Sequence, residues 1–318
     1  MVGAGRLETL HEAAKAEGRV VLYSSLNLDD VKDLFPLFEA RFPGVKIQHI
    51  RATGERLLER IVAEARAGGV RADVFETSGF EVYGAMNQGL IEPFCPPNLQ
   101  ELNPGLYDSG CHWIGVRTNH DVIAWNTNLV SRADAPSSYE DMGDPRWKGR
   151  ILMEADDVEM FNALLSNDAY GEERGMELFR RIAANDPRLH AGHIETADLL
   201  AAGHGAVFVG AYAHRIEQLK ANGAPVEWMK TEGVLYMQAV AKVKGGPNPN
   251  AGKLFLSWLV SVEGQQALAD LAGRYTLHPK VTSAPYAVPS AFKAYASRPE
   301  HAQALAMRQR QWDQLFGR

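Results

Sequence analysis

Short apolar runs and amphipathic segments alternate along the first third of the chain. The run from Val20 to Tyr23 is rich in β-branched and aromatic residues, which is typical of a buried strand. The later segment "ERLLERIVAEARAGG" places its apolar residues on one helical face and ends in paired glycines, which predicts an amphipathic helix. Strand and helix patterns repeat in this order, and the alternation favours a mainly parallel sheet flanked by helices.

Three details of the remaining pattern are specific enough to compare with a structure. Pro36 is expected near the first turns of the helix that follows the first strand. The stretch "WIGVRTNHDVIAWNTNLV" is expected to form two strands. Gly264 is expected to join two helical runs within "AGKLFLSWLVSVEGQQALADLAG".

Three successive predicted strands end in hydroxyl and glycine residues, in the stretches "YSS", "RATGE" and "ETSG". The carboxyl ends of parallel strands share one edge of a sheet, and ligands bind beyond that edge in open α/β folds. The pattern therefore predicts that Ser24, Ser25, Thr53 and Ser78 contact a ligand. The alternative is that each residue only caps the helix that follows it, because serine and threonine are favoured at N-caps.

Composition and charge exclude some classes of function. The 318 residues suffice for two domains, and the formal net charge of -6 argues against a nucleic-acid-binding protein. No segment has the roughly 18 uninterrupted apolar residues of a membrane helix. The first residues lack the apolar core of a signal peptide. The sequence therefore predicts either a cytoplasmic protein or a mature form whose signal has been removed.

The two cysteines leave two alternatives open. Cys95 and Cys111 flank a stretch rich in proline and glycine, and neither belongs to a C-x-x-C pair. They either stay unpaired or form a disulfide, which would contribute on the order of 3 kcal/mol to stability. The disulfide would require an oxidising compartment.

Motifs spread over nearly the whole chain carry a resemblance to a known family. They include "VVLYSS" followed by "FEARFPGVKI", "ADVFETS" with "GLIEPF" downstream, "DPRWKGRI", and "PNAGKLFLSWLVSVEGQQALA". The chain resembles the solute-binding proteins of ABC transporters, in the type II class with two crossover segments. Within that class it is most similar to the branch of ferric-ion-binding proteins and their relatives with organic ligands.

The resemblance implies a two-lobe α/β periplasmic-binding-protein fold, each lobe a mainly parallel sheet flanked by helices, with the ligand in the cleft between the lobes. Lobe 1 would comprise 1–122 and about 238–280, and lobe 2 would comprise 123–237. The C-terminal helices of 281–318 would pack across or onto lobe 2. The expected protein is a periplasmic monomer that serves the transmembrane subunits of an ABC permease, with no nucleic acid, no cofactor and no metal.

The ligand set of ferric-binding members is only partly matched. Those proteins hold iron with a histidine after the first strand, an acid after the third strand and two adjacent tyrosines. The corresponding stretches of this chain are "SSLN", "ETSG" and "GAYAH". The first has no histidine, the second places Thr77 and Ser78 near the expected acid, and the third has a single tyrosine. We therefore expect a small polar organic solute, and ferric iron remains the alternative.

Further candidate contacts follow from charge. Arg117 could face a carboxylate or phosphate through its bidentate fork, unless it lies at the surface. The acids of "MEADDVEM" would suit an amine, unless they point to solvent or cap a helix; Asp156 and Asp157 are the candidates among them. The other candidates from the second lobe are Glu195, Thr196, Tyr212 and Tyr236. His190 and His193 are expected in a loop without zinc, because no third ligand is evident.

Enzymatic motifs are missing from the sequence. It has no G-x-S-x-G, no G-x-x-x-x-G-K-[ST], no H-E-x-x-H and no clean G-x-G-x-x-G. We therefore predict a binding protein that is not an enzyme. A transferase built on the same two-lobe fold is the second alternative.

Overall fold

The computed structural model describes residues 4–103, 105–272, 275–281, 286–297 and 299–317. Its strands, in chain order, are β1 Arg19–Ser24, β2 Lys46–Arg51, β3 Val74–Ser78, β4 Ile91–Glu92, β5 Ile114–Asn126, β6 Ile151–Glu154, β7 Arg188–His190, β8 Val207–Tyr212, β9 Val226–Trp228, β10 Glu232–Val243, β11 Tyr275–Thr276 and β12 Lys293–Ser297. Its α-helices are α1 Ala4–Glu17, α2 Leu28–Arg41, α3 Gly54–Arg66, α4 Gly79–Asn87, α5 Val158–Leu164, α6 Glu172–Ala184, α7 His193–Ala201, α8 Ala213–Ala221, α9 Pro249–Leu259, α10 Val262–Ala272 and α11 Leu305–Phe316. Among these described helices, none combines the length and the apolarity needed to cross a membrane.

The chain divides into two units, and the expected mixed α/β class is confirmed. Unit 1 comprises Met1–Thr118 and Met237–Pro285, and unit 2 comprises Asn119–Tyr236 and Tyr286–Arg318. The chain passes from one unit to the other within β5 and again within β10. Of the expected C-terminal segment, positions 282–285, 298 and 318 lie outside the described residues.

The sheet of unit 1 is parallel at its centre. Strand β1 lies between β2 and β3 and is parallel to both, and the end of β10 pairs with β3 in the antiparallel direction. Val20 and Leu22 of β1 contribute to one apolar cluster, whereas Val21 and Tyr23 contribute to another. Because alternate residues of a strand point to opposite faces, β1 is covered on both faces. This burial explains why its sequence is apolar at consecutive positions.

The sheet of unit 2 has the same parallel character. Strand β6 lies between β7 and β8 and is parallel to both, while β5 pairs antiparallel with β8. The core contains the indole of Trp147 at 1% exposure and that of Trp312 at 0%. Trp312 of α11 packs against Phe161 and donates from Nε1 to the Ala155 carbonyl at 2.8 Å. The C-terminal helix is therefore held on unit 2.

Pro36 lies in the middle of α2, so the expectation that it sits near the first turns is wrong. Proline removes one backbone hydrogen bond from a helix interior. Leu34 and Phe38, on either side of Pro36, are each 0% exposed and contribute to the core of unit 1. The helix therefore continues through Pro36 because packing of its apolar face offsets the lost bond.

One continuous strand, β5, replaces the two strands expected from the sequence. The polar residues Asn119, His120 and Asp121, which interrupt the apolar pattern, are only 5%, 7% and 0% exposed. The chain changes unit between Thr118 and Asn119. The interruption therefore marks a buried polar site at a change of unit, and the strand does not end there.

The boundary between α9 and α10 lies at Val260 and Ser261, so the expected junction at Gly264 is shifted. Gly264 lies in the first turn of α10, where an added Cβ would clash with the carbonyl oxygen of Trp258. Close packing of the two helix ends therefore accounts for this glycine.

Cys95 and Cys111 form a disulfide in unit 1, with their Cα atoms 5.2 Å apart. Of the two alternatives that the sequence leaves open, the structure contains the bonded form. Such a bond persists in oxidising compartments such as the bacterial periplasm.

Candidate functional site

The hydroxyl residues predicted to form a polar edge end or follow three strands of unit 1, β1, β2 and β3. Ser24 is opposite Glu76 in the register of β1 and β3, and the Ser25 N–H donates to the Glu76 carbonyl at 3.1 Å. Ser78 ends β3 and caps α4 with its side chain. Thr53 precedes α3 and is exposed, without a side-chain cap bond. The contact of these hydroxyls with a solute stays a prediction.

Two predicted contacts of unit 1 already have partners within the protein. Ser24 is 0% exposed; its Oγ lies 2.9 Å from Nε2 of His49 and accepts from the Leu26 N–H at 3.2 Å. Arg117 is 3% exposed and forms an ion pair with Glu76 at 3.0 Å. The charge of Arg117 is therefore offset by a carboxylate of the same unit, and its role toward a solute stays a prediction.

A second polar group lies in unit 2 and consists of Asp121, Asp157, His193 and Tyr236; we call it the carboxylate cluster. Asp157 follows β6 as the N-cap of α5, and His193 follows β7 as the first residue of α7. Asp121 of β5 is paired with Tyr212 at the end of β8. Because β6, β7 and β8 are parallel, their carboxyl ends share the edge at which α/β sheets bind ligands.

The Tyr236 hydroxyl lies between the two carboxyl groups. It is 2.8 Å from Oδ2 of Asp121 and 2.7 Å from Oδ1 of Asp157. A phenol carries one proton and can donate only one of these bonds, so the other contact requires a proton on a carboxyl group. Burial, followed by repulsion from Asp157, raises the pKa of Asp121 well above its usual value. Asp121 is therefore favoured as the protonated group when no cation is bound.

Each carboxyl group also has an oxygen without a hydrogen-bond partner among the described residues. These atoms are Oδ1 of Asp121 and Oδ2 of Asp157. The two residues are 0% and 3% exposed, so these oxygens are shielded from bulk solvent. A buried polar group left unpaired costs about 1–3 kcal/mol, and more when it is charged. The cluster would therefore be stabilised by a group that donates protons or carries positive charge.

A β-bulge at Gly210 makes room for Asp157. The pairing of β5 with β8 shifts between Val122 and Ile123, and Gly210 is the extra residue of β8, with a φ of 104°. A Cβ at position 210 would lie 2.7 Å from Oδ2 of Asp157. Glycine is therefore required both by the backbone angle and by the carboxyl group beside it.

The Gly210 carbonyl also orients His193. Nδ1 of His193 lies 2.7 Å from this oxygen, which can only accept a proton, so Nδ1 carries the hydrogen in the neutral ring. Nε2 then has a lone pair available for a ligand. The turn before His193 is held by the Gly192 N–H, which donates to Oε1 of Glu154 at 3.1 Å, and by the Thr196 hydroxyl, which donates to the Gly192 carbonyl at 2.7 Å.

Aromatic rings pack beside the carboxylate cluster. Tyr212 stacks on His193 with ring centroids 4.1 Å apart and on His214 at 5.5 Å, and its ring meets that of Tyr236 edge-on at 6.3 Å. Burial, followed by the neighbouring acids, raises the pKa of both tyrosines well above the usual value. Both phenols therefore stay protonated when no cation is bound.

The carboxylate cluster also contains residues that could hold a metal ion. One ligand atom from each of Asp121, Asp157 and His193 lies within 4.8 Å of the others. Carboxylate and phenol oxygens suit hard cations, and imidazole suits transition metals. The donor types are therefore compatible with a metal ion as well as with an organic cation.

The contacts predicted for the second lobe have different positions in unit 2. Asp157 and Tyr236 belong to the carboxylate cluster, and Tyr212 adjoins it. Asp156 and Glu195 are exposed. Thr196 is 0% exposed, and its hydroxyl is used within the turn before α7. The roles of all these residues in binding stay predictions.

Two members of the cluster have no binding role in the sequence analysis. Asp121 lies in the polar interruption of β5, and an acid within an apolar strand pattern could have indicated a buried site, because a buried charge needs a partner. His190 and His193 are expected in a loop, but His190 ends β7 and His193 begins α7 after Gly192, whose φ is 87°. Only the fold places His193 near the two acids.

Comparison with known proteins identifies relatives of the chain. A family model described as a bacterial extracellular solute-binding protein matches residues 73–293. Iron uptake protein A1 of Synechocystis sp. is 27% identical over 266 residues, which cover 78% of this chain and 72% of that protein. The chain thus spans most of the length of this relative.

Solved structures share the fold. Iron-bound HitA from Pseudomonas aeruginosa aligns with a TM-score of 0.81 and 17% identity, covering 93% of this chain and 99% of HitA. AfuA from Actinobacillus pleuropneumoniae, with bound fructose-6-phosphate, aligns with a TM-score of 0.83 and 21% identity, covering 95% of this chain and 99% of AfuA. These two-lobe proteins hold very different ligands, so the likeness shows the fold alone.

Proposed function

Because the chain belongs to the family of bacterial extracellular solute-binding proteins, we propose that it is the receptor of an ABC importer and that its solute carries a positive charge. The periplasmic location and the two-lobe fold expected from the sequence are confirmed by the family and its relatives. As a monomer, the receptor binds its solute without chemical turnover and delivers it to the permease subunits. Capture between two lobes stays a prediction.

The observation that carries this proposal is the pair of buried carboxyl groups in unit 2. Asp121 and Asp157 share one phenol proton, and each has an unpartnered oxygen among the described residues. A buried charge without a partner is unfavourable, and a bound cation would offset that cost. An anionic solute at the same place would add repulsion. The site therefore supports a cationic solute.

A small polar organic molecule remains the form of solute predicted from the sequence. The hydroxyl edge of unit 1 supports it, because Ser25 and Ser78 are only half-buried. Neutral hydroxyl groups of this kind hydrogen-bond to many organic groups.

Ferric iron is the second candidate, favoured by the two acids, the phenol and the imidazole of the carboxylate cluster. Relatives named for iron uptake or iron binding add support, although their names describe those proteins and not this chain. Against it, Leu26, near the expected position of the histidine ligand, is 2% exposed and apolar. Ala211 precedes the single Tyr212, where the family has two tyrosines.

Charge-sorted extracts test the proposed function. A metabolite extract is separated on a cation exchanger, and each fraction is added to the purified protein in a thermal unfolding experiment. The retained cations should raise the midpoint, with a stabilisation of about 2.7 kcal/mol at a hundredfold excess over the dissociation constant. Asp157→Asn should lose the shift, whereas Asp33→Asn, at an exposed position of α2, should keep it. A shift produced only by the anionic or neutral fraction would overturn the proposal.

A further inference from the structure

The carboxylate cluster brings three acceptor groups close together in unit 2. Two are the unpartnered carboxyl oxygens of Asp121 and Asp157. The third is Nε2 of His193, whose Nδ1 is committed to the Gly210 carbonyl. One oxygen of each acid and one ring nitrogen of His193 lie within 4.8 Å of one another.

This spacing accommodates the donors of one particular cation. A primary ammonium group carries three N–H donors in a tetrahedral arrangement. Acceptors at about 2.8 Å from such a nitrogen lie about 4.6 Å from each other. One ammonium group could therefore satisfy all three acceptors at once and place its charge between two carboxylates.

We propose that the carboxylate cluster binds the primary ammonium group of a small organic solute through Asp121, Asp157 and His193. This inference rests on the proposed function and names the chemical class of its solute.

Tyr236 is the positioning residue of this arrangement. Its hydroxyl contacts Oδ2 of Asp121 and Oδ1 of Asp157, so the other oxygen of each carboxyl group is left for the solute. An ammonium group can bind while the Tyr236 hydroxyl keeps both of these hydrogen-bond contacts. A metal ion that used the phenol oxygen as a ligand would have to displace them.

Other cations fit the acceptors less well. A quaternary ammonium carries charge but no N–H donor, and it would leave the buried oxygens without hydrogen bonds. The stacking of Tyr212 on His193 places an aromatic ring beside the cluster, which suits the organic part of a solute. A bare metal ion has no such part.

Chemical modification of one extract separates the charge of the solute from its proton donors. One portion of a metabolite extract is exhaustively acetylated, which turns amines into neutral amides. A second is reductively dimethylated, which keeps the charge but removes donors from primary amines. A third is stripped of metal ions on a chelating resin. Each portion is added to the purified wild-type protein, and the thermal midpoint is compared with that in untreated extract.

A primary ammonium ligand requires that the shift persist after metal removal and disappear after acetylation and after dimethylation. A shift that survives dimethylation but not acetylation would overturn the ammonium inference and leave a cationic solute standing. A shift lost on metal removal would also overturn the ammonium inference and would identify the cationic solute as a metal ion. A shift that survives acetylation in the metal-stripped extract, or no shift in untreated extract, would overturn both proposals.

The variants give a second measurement once native mass spectrometry has identified the amine retained from the untreated extract. Asp121→Asn and Asp157→Asn should each weaken its binding by at least about tenfold, equivalent to about 1.4 kcal/mol. His193→Phe, which keeps a ring beside Tyr212 but has no acceptor, should also weaken binding. Tyr236→Phe should weaken it less, and unchanged affinity in all four variants would overturn the assignment. Circular dichroism of each variant establishes that it is folded.

Discussion

The Tyr236 hydroxyl lies 2.8 Å from Oδ2 of Asp121 and also contacts Oδ1 of Asp157. The phenol can donate to only one of the two carboxyl groups, so the second hydrogen bond needs a proton on an acid, and we assign that proton to Asp121. The Asp121 pKa is raised from 3.8, first by burial and then by Asp157. An acid of this kind makes the folded state less stable as the pH rises. Above pH 3.8 the unfolded chain releases the proton more readily than the folded protein does.

Asp121→Asn is therefore expected to stabilise the solute-free protein at neutral pH. Asparagine needs no proton, and its amide can donate to Tyr236 while the phenol donates to Asp157. The gain over wild type should be small near pH 3.8 and should grow with pH until the folded carboxyl group ionises. Urea unfolding at a series of pH values measures it.

The matched control is Asp33→Asn, because Asp33 is exposed on α2. It removes one surface carboxylate, so the comparison shows which part of the pH dependence is specific to the buried carboxyl group. If Asp121→Asn were less stable than wild type throughout, or showed the same pH dependence as the control, the assigned proton would be wrong.

Gly210→Ala should damage both stability and solute binding. The residue has a φ of 104°, and its new Cβ would press on Oδ2 of Asp157. Backbone strain at a positive φ costs roughly 1–2 kcal/mol. Gly203→Ala is the control: its φ is 81°, but its Cβ would meet no atom closer than 4.0 Å. Both variants should lose stability in thermal unfolding, and only Gly210→Ala should lose affinity; equal affinities would contradict the role given to the bulge.

The periodicity of apolar residues predicts most of the fold because it reports local burial. The run from Val20 to Tyr23 becomes β1, and the amphipathic pattern before the paired glycines becomes α3. The pattern is less informative where tertiary packing decides. Pro36 is tolerated within α2 because its neighbours are buried, and β5 continues through polar residues that the fold encloses.

The candidate site is only partly accessible to sequence reasoning. Asp157 and Tyr236 could be predicted from the local pattern, because Asp157 precedes a recognisable helix, α5, and Tyr236 lies within a recognisable strand, β10. Asp121 and His193 are distant in sequence and meet only through the pairing of β5 with β8 and the bulge at Gly210. A bulge depends on the register of two strands, which no local pattern of the chain reveals.

Glu76→Gln is expected to destabilise unit 1 by roughly 3–5 kcal/mol, because it leaves the Arg117 charge buried without its counter-ion. The two residues are 1% and 3% exposed and 3.0 Å apart. Replacing both, as Glu76→Leu with Arg117→Met, should restore much of the loss, since a buried pair adds little over apolar packing. Chemical denaturation of the single and double variants measures the coupling, and additive losses would show that the pair does not act as a unit.

Ser24 and Ser25 are adjacent, but their contacts differ, and this difference separates a structural role from a binding role. The hydroxyl of Ser24 is buried between His49 and the Leu26 N–H. Ser24→Ala should therefore cost about 1–3 kcal/mol of stability, because it leaves buried groups unpaired. Ser25 is half-buried at the carboxyl end of β1, at the predicted binding edge.

Ser25→Ala is expected to leave the stability of the solute-free protein nearly unchanged and to weaken solute binding by about 0.5–1.5 kcal/mol, the usual contribution of a neutral hydrogen bond. Ser24→Ala serves as its internal comparison, since it removes the same type of atom, a serine Oγ, from the preceding residue. Both variants are measured by urea unfolding without solute and by calorimetric titration with the solute identified by mass spectrometry. If Ser25→Ala lost stability and kept full affinity, the hydroxyl would be a helix cap, and Ser25 would be removed from the binding edge.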